Sequence, residues 1–365
     1  MERLSEGEEM SEYRMSNNEF RFGFFDIQHS LFNIHYSTFD NRYSTFKTLN
    51  LDKMKASYIE NYGDFDNLIT GDLERPEPGE GEVLVRIKAA GVNPVDAAIV
   101  RGMLKDFIPG EFPLIPGWDM AGVVESRGHA ARRFTEGDEV YGYVRRPKIQ
   151  HGSFAQYMAL PESYLAIRPQ KISMEESGGI PLVGLTAYQS LFEAGTLSKD
   201  DTLLILGASG GVGTLAVQLA KTVGANVIAV ASKANHDYMK GLGADETVDY
   251  NENHLGKAVS EIIPEGVDMI FHCSRGDSLN QSIETLKPDG RLVSITNRQP
   301  DIRNDIKFEY VFVEPNALQL QHIQQLTDEG KITLPELKTF ELEDTAKALN
   351  QIETLHTKGK LVITP

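Results

Sequence analysis

The chain has 365 residues, enough for one to three domains, and 41% of them are hydrophobic, as in a typical soluble globular protein. Its formal net charge is −17 at pH 7, which disfavours nucleic acid or an anionic membrane as a partner. Cys273 is its single cysteine, which excludes an intrachain disulfide framework and a thiolate-rich zinc site.

Residues 1–53 differ in composition from the rest of the chain. The stretch NEFRFGFFDIQHSLFNIHYSTF is dense in Phe and Tyr and has neither helical nor strand periodicity. Two interpretations remain open: an extension that packs on something, or upstream sequence before a protein that starts at Met54. The first residues are acidic rather than basic and apolar, and no apolar run reaches transmembrane length, so we expect a cytoplasmic protein.

Short strand patterns separated by Gly and Pro run from Met54 to about residue 172. They include MKASYIENYGD, EVLVRIKAAGV, FPLIPGWDMAGVVESRG and GDEVYGYV. Turn residues recur about every ten positions, which predicts a compact β-rich domain.

Strands and helices alternate after residue 172. The predicted strands are TLLILGA, NVIAVAS, ETVDY, MIFHC, RLVSIT and KFEYVFV. This alternation predicts a parallel sheet that is covered by helices on both faces. The helix PNALQLQHIQQLTDEG follows, and ALNQIETLHTKGKLVITP ends the chain as a helix and a strand.

The segment TLLILGASGGVGTLAVQLAK predicts a strand, a nucleotide-binding turn and a helix. Its glycine pattern has alanine in the first position, and Gly207 precedes it. Backbone N–H groups and the dipole at the start of the following helix favour phosphate. The predicted pyrophosphate-binding residues are Ala208, Ser209, Gly210, Gly211, Val212 and Gly213.

The next strand ends at Ser232 and Lys233, where many dinucleotide enzymes have an acidic residue. A hydroxyl and a cation favour the 2′-phosphate of NADPH over the free ribose of NADH. Tyr250, after the third strand, could close the same pocket. The alternative is that Lys233 is an ordinary solvated lysine.

The motifs RPEPGEGEVLVRIKAAGVNPVD, FPLIPGWDMAGVV, GSFAQYMALPE, GLTAYQSL, GASGGVGTLAVQLAK and KGKLVITP occur in this order. With them the chain from Met54 resembles the medium-chain dehydrogenase/reductase superfamily, and most of all its zinc-independent quinone oxidoreductase branch, the zeta-crystallin-like one. The resemblance implies an α/β fold: a GroES-like, β-rich catalytic domain over 54–177, completed by 332–365, and a Rossmann doubly wound parallel sheet over 178–331. The acceptor cleft is expected between the two domains.

The zinc-dependent members of that superfamily have a cysteine where this chain has Asn93, and His-Glu where it has Trp118 and Asp119. Asp96 and Asp119 alone would not hold zinc, so we expect no catalytic metal. Without a Lewis acid, hydride transfer suits acceptors that are already electrophilic. We therefore expect an enzyme that transfers hydride from NADPH to a quinone or an α,β-unsaturated carbonyl. An enoyl-thioester or alkenal reductase, or an NADPH-binding sensor with little turnover, are the alternatives.

The resemblance places Asn93 at the edge of the nicotinamide, although the residue could equally be a turn asparagine before Pro94. Asp96 could orient the site or cap the following helix. Thr186 is expected at the nicotinamide and phosphates, with an ordinary helix threonine as the alternative.

Further residues are expected at the cofactor because they follow strands or match the family: Cys273, Ser274, Asn297 and Lys360. Arg101 or Lys105 could donate to the developing oxyanion, or both could be solvated. Tyr143 could line the acceptor pocket or belong to the core. The strand near Phe308–Val313 is expected to pair with its mate in a homodimer.

Overall fold

The computed structural model describes residues 52–251, 254–334, 336–354 and 359–365. Residues 1–51 of the predicted N-terminal segment therefore lie outside the described residues, and both interpretations of that segment stay predictions. No helix in the described ranges is long and apolar enough to cross a membrane.

The first part of the chain consists of short strands and a short helix, as the Gly- and Pro-rich pattern predicts. In order they are β1 (Lys53–Tyr58), β2 (Ile69–Glu74), β3 (Glu82–Val92), α1 (Pro94–Val100), β4 (Gly110–Ile115), β5 (Asp119–Arg127), β6 (Glu139–Tyr143), β7 (Ile149–His151), β8 (Tyr157–Pro161) and β9 (Leu165–Ile167). The strand β3 coincides with the predicted segment EVLVRIKAAGV.

Strands and helices then alternate. They are α2 (Met174–Gly178), α3 (Pro181–Tyr188), β10 (Thr202–Leu206), α4 (Gly211–Thr222), β11 (Asn226–Ala231), α5 (His236–Gly241), β12 (Glu246–Asp249), α6 (Leu255–Ile262), β13 (Val267–His272), α7 (Ser278–Ser282), β14 (Leu286–Ser294), β15 (Lys307–Tyr310) and α8 (Ala317–Asp328).

The six predicted strands of this part form a parallel sheet in the order β12-β11-β10-β13-β14-β15. Alternate side chains of β10 enter opposite cores: Leu203 packs in one hydrophobic cluster and Leu204 in the other. This two-sided burial explains why the strands read as continuous apolar runs. The last strand ends at Tyr310, so the predicted continuation to Val313 is not part of it.

The end of the chain returns to the first part as β16 (Leu337–Glu341), α9 (Thr345–Glu353) and β17 (Lys360–Thr364). These strands complete a sheet in the order β16-β17-β3-β5-β6-β9, with β8 paired to β3. In it β17 is antiparallel to β3, and Leu361 lies opposite Val92. The start of β17 is therefore placed beside the turn that follows β3. Sequence patterns did not predict β16.

The two sheets are joined through α3 and α8. Tyr141 of β6 is fully buried, and its hydroxyl donates to the carbonyl of Leu320 in α8 at 2.6 Å. This bond holds a strand of the first sheet against a helix of the second part. Tyr141 thus belongs to the core between the two parts.

Candidate active site

Four buried polar residues meet where the two parts of the molecule adjoin: Asn93, Asp96, Asp119 and Lys360. Each is at most 4% exposed. The first two lie at the start of α1, Asp119 begins β5, and Lys360 begins β17. Buried groups of this polarity require partners, and here they largely supply one another; one carboxyl oxygen of Asp96 has no hydrogen-bond partner among the described residues. We call these four residues the polar cluster.

Asn93 is the centre of the polar cluster. Its side-chain Nδ2 donates to Asp119 at 2.9 Å, and its Oδ1 accepts from Nζ of Lys360. Its backbone N–H donates to Asp96 at 2.8 Å, which forms half of a capping box at the start of α1. The turn and capping roles predicted for Asn93 and Asp96 are thus present. The predicted contact of Asn93 with the nicotinamide stays a prediction.

Asp119 joins the β-rich part to the nucleotide part. One carboxylate oxygen accepts the backbone N–H of Leu182, in the first turn of α3, at 2.6 Å. The other lies 3.6 Å from Nζ of Lys360, which also donates to the carbonyl of Val92 at 3.2 Å. Sequence reasoning considered Asp119 only as an inadequate zinc ligand and missed this partnership, which depends on a contact between distant strands.

Burial controls the protonation of the polar cluster. It raises the pKa of Asp96 to about 8, against the opposing effect of the Asn93 N–H. It raises the pKa of Asp119 to about 6, where Lys360 opposes the shift. Burial also lowers the pKa of Lys360, although both carboxyls favour its charged form. Burial thus favours the protonated form of Asp96 more strongly than that of Asp119, the carboxyl that faces Lys360.

Tyr143 ends β6 directly opposite Asp119 in the sheet. Its side chain is buried, its ring lies edge-on to Trp118, and its hydroxyl has no hydrogen-bond partner among the described residues. Burial raises the pKa of Tyr143 well above its usual value, so the hydroxyl stays protonated. The structure thus places Tyr143 next to the polar cluster, inside the core.

Arg101 and Lys105, the predicted oxyanion donors, have different surroundings. The guanidinium of Arg101 donates to Glu353 at 2.6 and 2.8 Å and to Asp64 at 2.6 Å, and it stacks on Phe65. Arg101 therefore links the end of α1 to α9, and the carboxylates of Glu353 and Asp64 neutralise its charge. Lys105 is exposed on the loop 101–109.

The predicted nucleotide turn has the geometry that a pyrophosphate needs. Gly207 has φ of 91°, and a Cβ on Gly213 would lie 2.4 Å from the carbonyl oxygen of Gly207. Only glycine allows this approach of α4 to β10. Gly210, the N-cap of α4, provides no side chain to cap the first helical turn. The turn thus leaves amides for an anion and fits the phosphates of a dinucleotide.

The other predicted residues of the turn lie just before α4 or in its first turn. Ala208 is buried, and its N–H donates to the carbonyl of Val230 in β11 at 3.0 Å. Ser209, Gly211 and Val212 are partly exposed at the start of α4.

Ser232 and Lys233 follow β11 at the edge where parallel strands end. The Ser232 hydroxyl accepts from Asn235 at 3.2 Å, and Lys233 is exposed, as is Tyr250. Asp249, which ends β12, lies opposite Ala231 and is a carboxylate that sequence reasoning missed. Asn251 N–H groups lower its pKa most, and the backbone N–H of Lys233 adds to this effect. Local donors therefore stabilise the charged form of Asp249.

The predicted cofactor residues beyond β13 and β14 lie at the same edge. Cys273 donates its thiol to the carbonyl of Leu206 at 3.1 Å, and burial raises its pKa to about 12, so it is no nucleophile. Ser274 contacts Ser278 at 2.9 Å and packs against Gly207. Asn297 N–H donates to Ser294 at 3.0 Å.

Thr186 lies in α3, and its hydroxyl donates to the carbonyl of Leu182 at 2.6 Å. This bond is the one an ordinary buried helix threonine makes. The predicted contact of Thr186 with the nicotinamide stays a prediction.

The chain matches two family models, one described as alcohol dehydrogenase GroES-like domain at residues 79–170 and one as zinc-binding dehydrogenase at residues 211–325. It is 32% identical over 322 residues to an NADPH-dependent alkenal/one oxidoreductase, chloroplastic, of Arabidopsis thaliana, which covers 86% of this chain and 80% of the relative.

Two solved structures are similar to this chain over most of its length. The quinone oxidoreductase from Coxiella burnetii superposes with a TM-score of 0.74 at 30% identity, over 86% of this chain and 99% of that one. The CurK enoyl reductase superposes with a TM-score of 0.78 at 25% identity, over 86% and 99%. The chain therefore belongs to the medium-chain dehydrogenase/reductase superfamily, in its zinc-independent quinone oxidoreductase branch.

Proposed function

We propose that this protein is an oxidoreductase that uses NADPH to reduce a quinone or an α,β-unsaturated carbonyl without zinc. When bound, NADPH supplies a hydride, that is, a proton with two electrons. The acceptor takes that hydride and one further proton from solvent, which gives a quinol or a saturated carbonyl. Relatives named as alkenal/one and quinone oxidoreductases support this choice of acceptor.

The polar cluster is the observation that carries the proposal. Its cation is the Lys360 ammonium, 3.6 Å from the Asp119 carboxylate, and its other members are an amide and a second carboxyl. Nitrogen and thiolate ligands suited to zinc are not among these groups. In the described part of the chain, no group of three or more His, Cys, Asp or Glu side chains could hold a metal. This donor set favours acceptors that need no Lewis acid.

The residues of the chain have separate tasks in this proposal. The turn over Gly207–Gly213 would hold the pyrophosphate, and Ser232 with Lys233 would bind a 2′-phosphate. The polar cluster fixes the start of α1 and the end of β3 against α3, and so fixes the wall of the cleft between the two parts.

Steady-state kinetics with purified protein test the proposal. We expect oxidation of NADPH with an ortho-naphthoquinone or with an aryl-substituted butenone, and a lower kcat/KM with NADH. Elemental analysis of the same sample should find less than a stoichiometric amount of zinc. A protein that binds NADPH tightly but reduces neither acceptor would instead be a sensor, and one whose activity requires zinc would contradict the proposal.

An enoyl-thioester reductase is the second candidate. The similarity to the CurK enoyl reductase over 86% of this chain favours it. Both candidates share the cofactor and differ in the acceptor. A higher kcat/KM with crotonyl-CoA than with the quinone and the butenone would support the second candidate.

A homodimer is part of the proposal. The strand β15 lies at the edge of the parallel sheet and pairs only with β14 among the described strands. Its free side is available to the same strand of a second copy. Light scattering should show a dimer, and Glu309→Pro should produce monomers; a monomeric parent protein would contradict this part. The cytoplasmic location stays a prediction.

A further inference from the structure

An arginine lies between two aromatic rings at the boundary of the two parts of the molecule. The guanidinium carbon of Arg298 is 5.2 Å from the ring centre of Phe107 and 5.0 Å from that of Tyr310. Phe107 belongs to the loop 101–109 of the β-rich part, whereas Tyr310 ends β15 of the parallel sheet. We call these three residues the arginine clamp.

The arginine clamp lies at the edge where the proposed cofactor and acceptor meet. Arg298 follows the carboxyl end of β14, and ligands of open parallel sheets bind at such ends. The opposing loop starts directly after α1, whose start contributes Asn93 and Asp96 to the polar cluster. The arginine clamp therefore joins this loop to the end of the parallel sheet where the proposed cofactor would bind.

The charge of Arg298 is not neutralised within the described residues. No carboxylate pairs with it there, in contrast to Arg101, which binds both Glu353 and Asp64. Asp106 is the only acidic residue of the loop 101–109, and no ion pair joins it to Arg298. In a protein with a net charge of −17, an unpaired guanidinium at this boundary attracts anions.

The surroundings of Arg298 are also apolar. Met103 is 65% exposed and Phe107 is 68% exposed, and both lie on the same loop. Exposed apolar side chains beside a site favour a ligand with an apolar body. Stacking on two rings holds the guanidinium in a limited range of orientations, which lowers the entropy lost when an anion binds.

We propose that Arg298 is a specificity-determining residue that recognises an anionic group on an otherwise apolar acceptor. The acceptor class is therefore a quinone or enone that carries a carboxylate, sulfonate or phosphate. This inference rests on the proposed function and names the substrate class of the same site. The guanidinium binds such groups through two parallel N–H donors.

Two quinones with a common ring system test the inference: an ortho-naphthoquinone and the same quinone with a ring sulfonate. For each variant, kcat/KM is measured with the sulfonated and with the neutral quinone, and the first value is divided by the second. The two quinones differ in intrinsic reactivity, but this difference is the same for every variant, so the ratio can be compared between variants. Arg298→Gln should lower this ratio about fivefold or more, because a charge-assisted contact is lost. Arg298→Lys should lower the ratio less than Arg298→Gln, because it keeps the charge but loses the two parallel donors.

Arg133→Gln is the matched control. Arg133 also stacks on a phenylalanine, Phe134, at 5.3 Å, but it lies near Glu162 and away from the clamp. Its substitution should leave the ratio unchanged. In the parent protein, added salt should lower the ratio, because screening weakens the attraction between exposed charges.

The outcomes separate the two proposals. A parent protein that reduces neither the two quinones nor the aryl-substituted butenone contradicts the proposed function. A parent protein that reduces the neutral quinone, with the same ratio in Arg298→Gln as in the parent, overturns only the role of Arg298. Equal loss of activity toward both quinones in Arg298→Gln and Arg298→Lys also overturns it, because the residue would then be structural.

Discussion

The side-chain oxygen of Asn93 accepts a hydrogen bond from Nζ of Lys360, which lies 267 positions later in the chain. The amide nitrogen of the same side chain donates to Asp119. One amide is thus held at both ends by groups of opposite charge, in the orientation that satisfies both. This arrangement makes the geometry of the polar cluster sensitive to each charge.

Lys360→Met should destabilise the fold by about 3–5 kcal/mol, because it leaves a buried carboxylate and the Asn93 oxygen without their cation. Urea unfolding measures the change. Lys347→Met is the control, since the side chain of Lys347 is 73% exposed and its ion pair with Asp344 contributes at most about 1 kcal/mol.

Addition of Asp119→Asn to Lys360→Met should recover part of the lost stability, because the double variant no longer buries an unpaired charge. A double variant that is less stable by the sum of the two single effects would show that Asp119 and Lys360 do not interact. The same urea titrations give this comparison.

Asp96→Asn should change how stability depends on pH. The folded pKa of Asp96, about 8, lies above its ordinary value of 3.8, so the folded state holds the proton more tightly. The contribution of Asp96 to stability is therefore full below pH 4 and falls as the pH rises to about 8. Thermal unfolding of both proteins at pH 5 and pH 8 measures this effect. Relative to the parent, the free energy of unfolding of the variant should be higher at pH 8 than at pH 5 by at least about 1 kcal/mol. A constant difference would contradict the raised pKa.

Gly213→Ala should weaken both the fold and cofactor binding. The added Cβ would lie 2.4 Å from the Gly207 carbonyl oxygen, so the turn must shift at a cost of about 1–3 kcal/mol. Thermal unfolding and fluorescence titration with NADPH measure the two effects. Gly241→Ala is the control: nothing lies within 4 Å of its added Cβ, and alanine should leave stability unchanged or raise it by up to about 1 kcal/mol. Equal stability of both variants would contradict the close approach of α4 to β10.

Lys233→Gln should raise the KM for NADPH about fivefold and leave the KM for NADH unchanged, because only NADPH carries the 2′-phosphate. Lys240→Gln, at another exposed lysine of the same region, is the control. Equal effects on both cofactors would mean that Lys233 does not contact the phosphate.

The sequence contains enough local information to predict the fold. The parallel sheet follows from the alternation of strand and helix patterns, and β3 from a segment rich in Val, Leu and Ile between turns. Gly213, after the turn before α4, is a local signal as well, because a Cβ there would meet Gly207 and Ala208, only a few residues away. By contrast β16, in LKTFE, has little burial and few β-branched residues, and it was not predicted.

The partners within the candidate site were harder to predict. Asn93, Asp96 and Lys360 were expected at the site, but the bond between Asn93 and Lys360 depends on the pairing of β17 with β3. Asp119 forms its ion pair through the same pairing. The arginine clamp joins two loops with no periodic pattern, so no local signal predicts it. Contacts between distant segments are decided by packing, which a single sequence does not display.

The placement of β17 has a consequence for biosynthesis. Lys360 lies on β17, the last of the described strands. While this segment of a nascent polypeptide is still in the ribosome exit tunnel, the carboxyls of Asp96 and Asp119 are already outside it without the Lys360 ammonium. The polar cluster is therefore complete only once β17 has paired with β3, so this part of the molecule is among the last to reach its final structure.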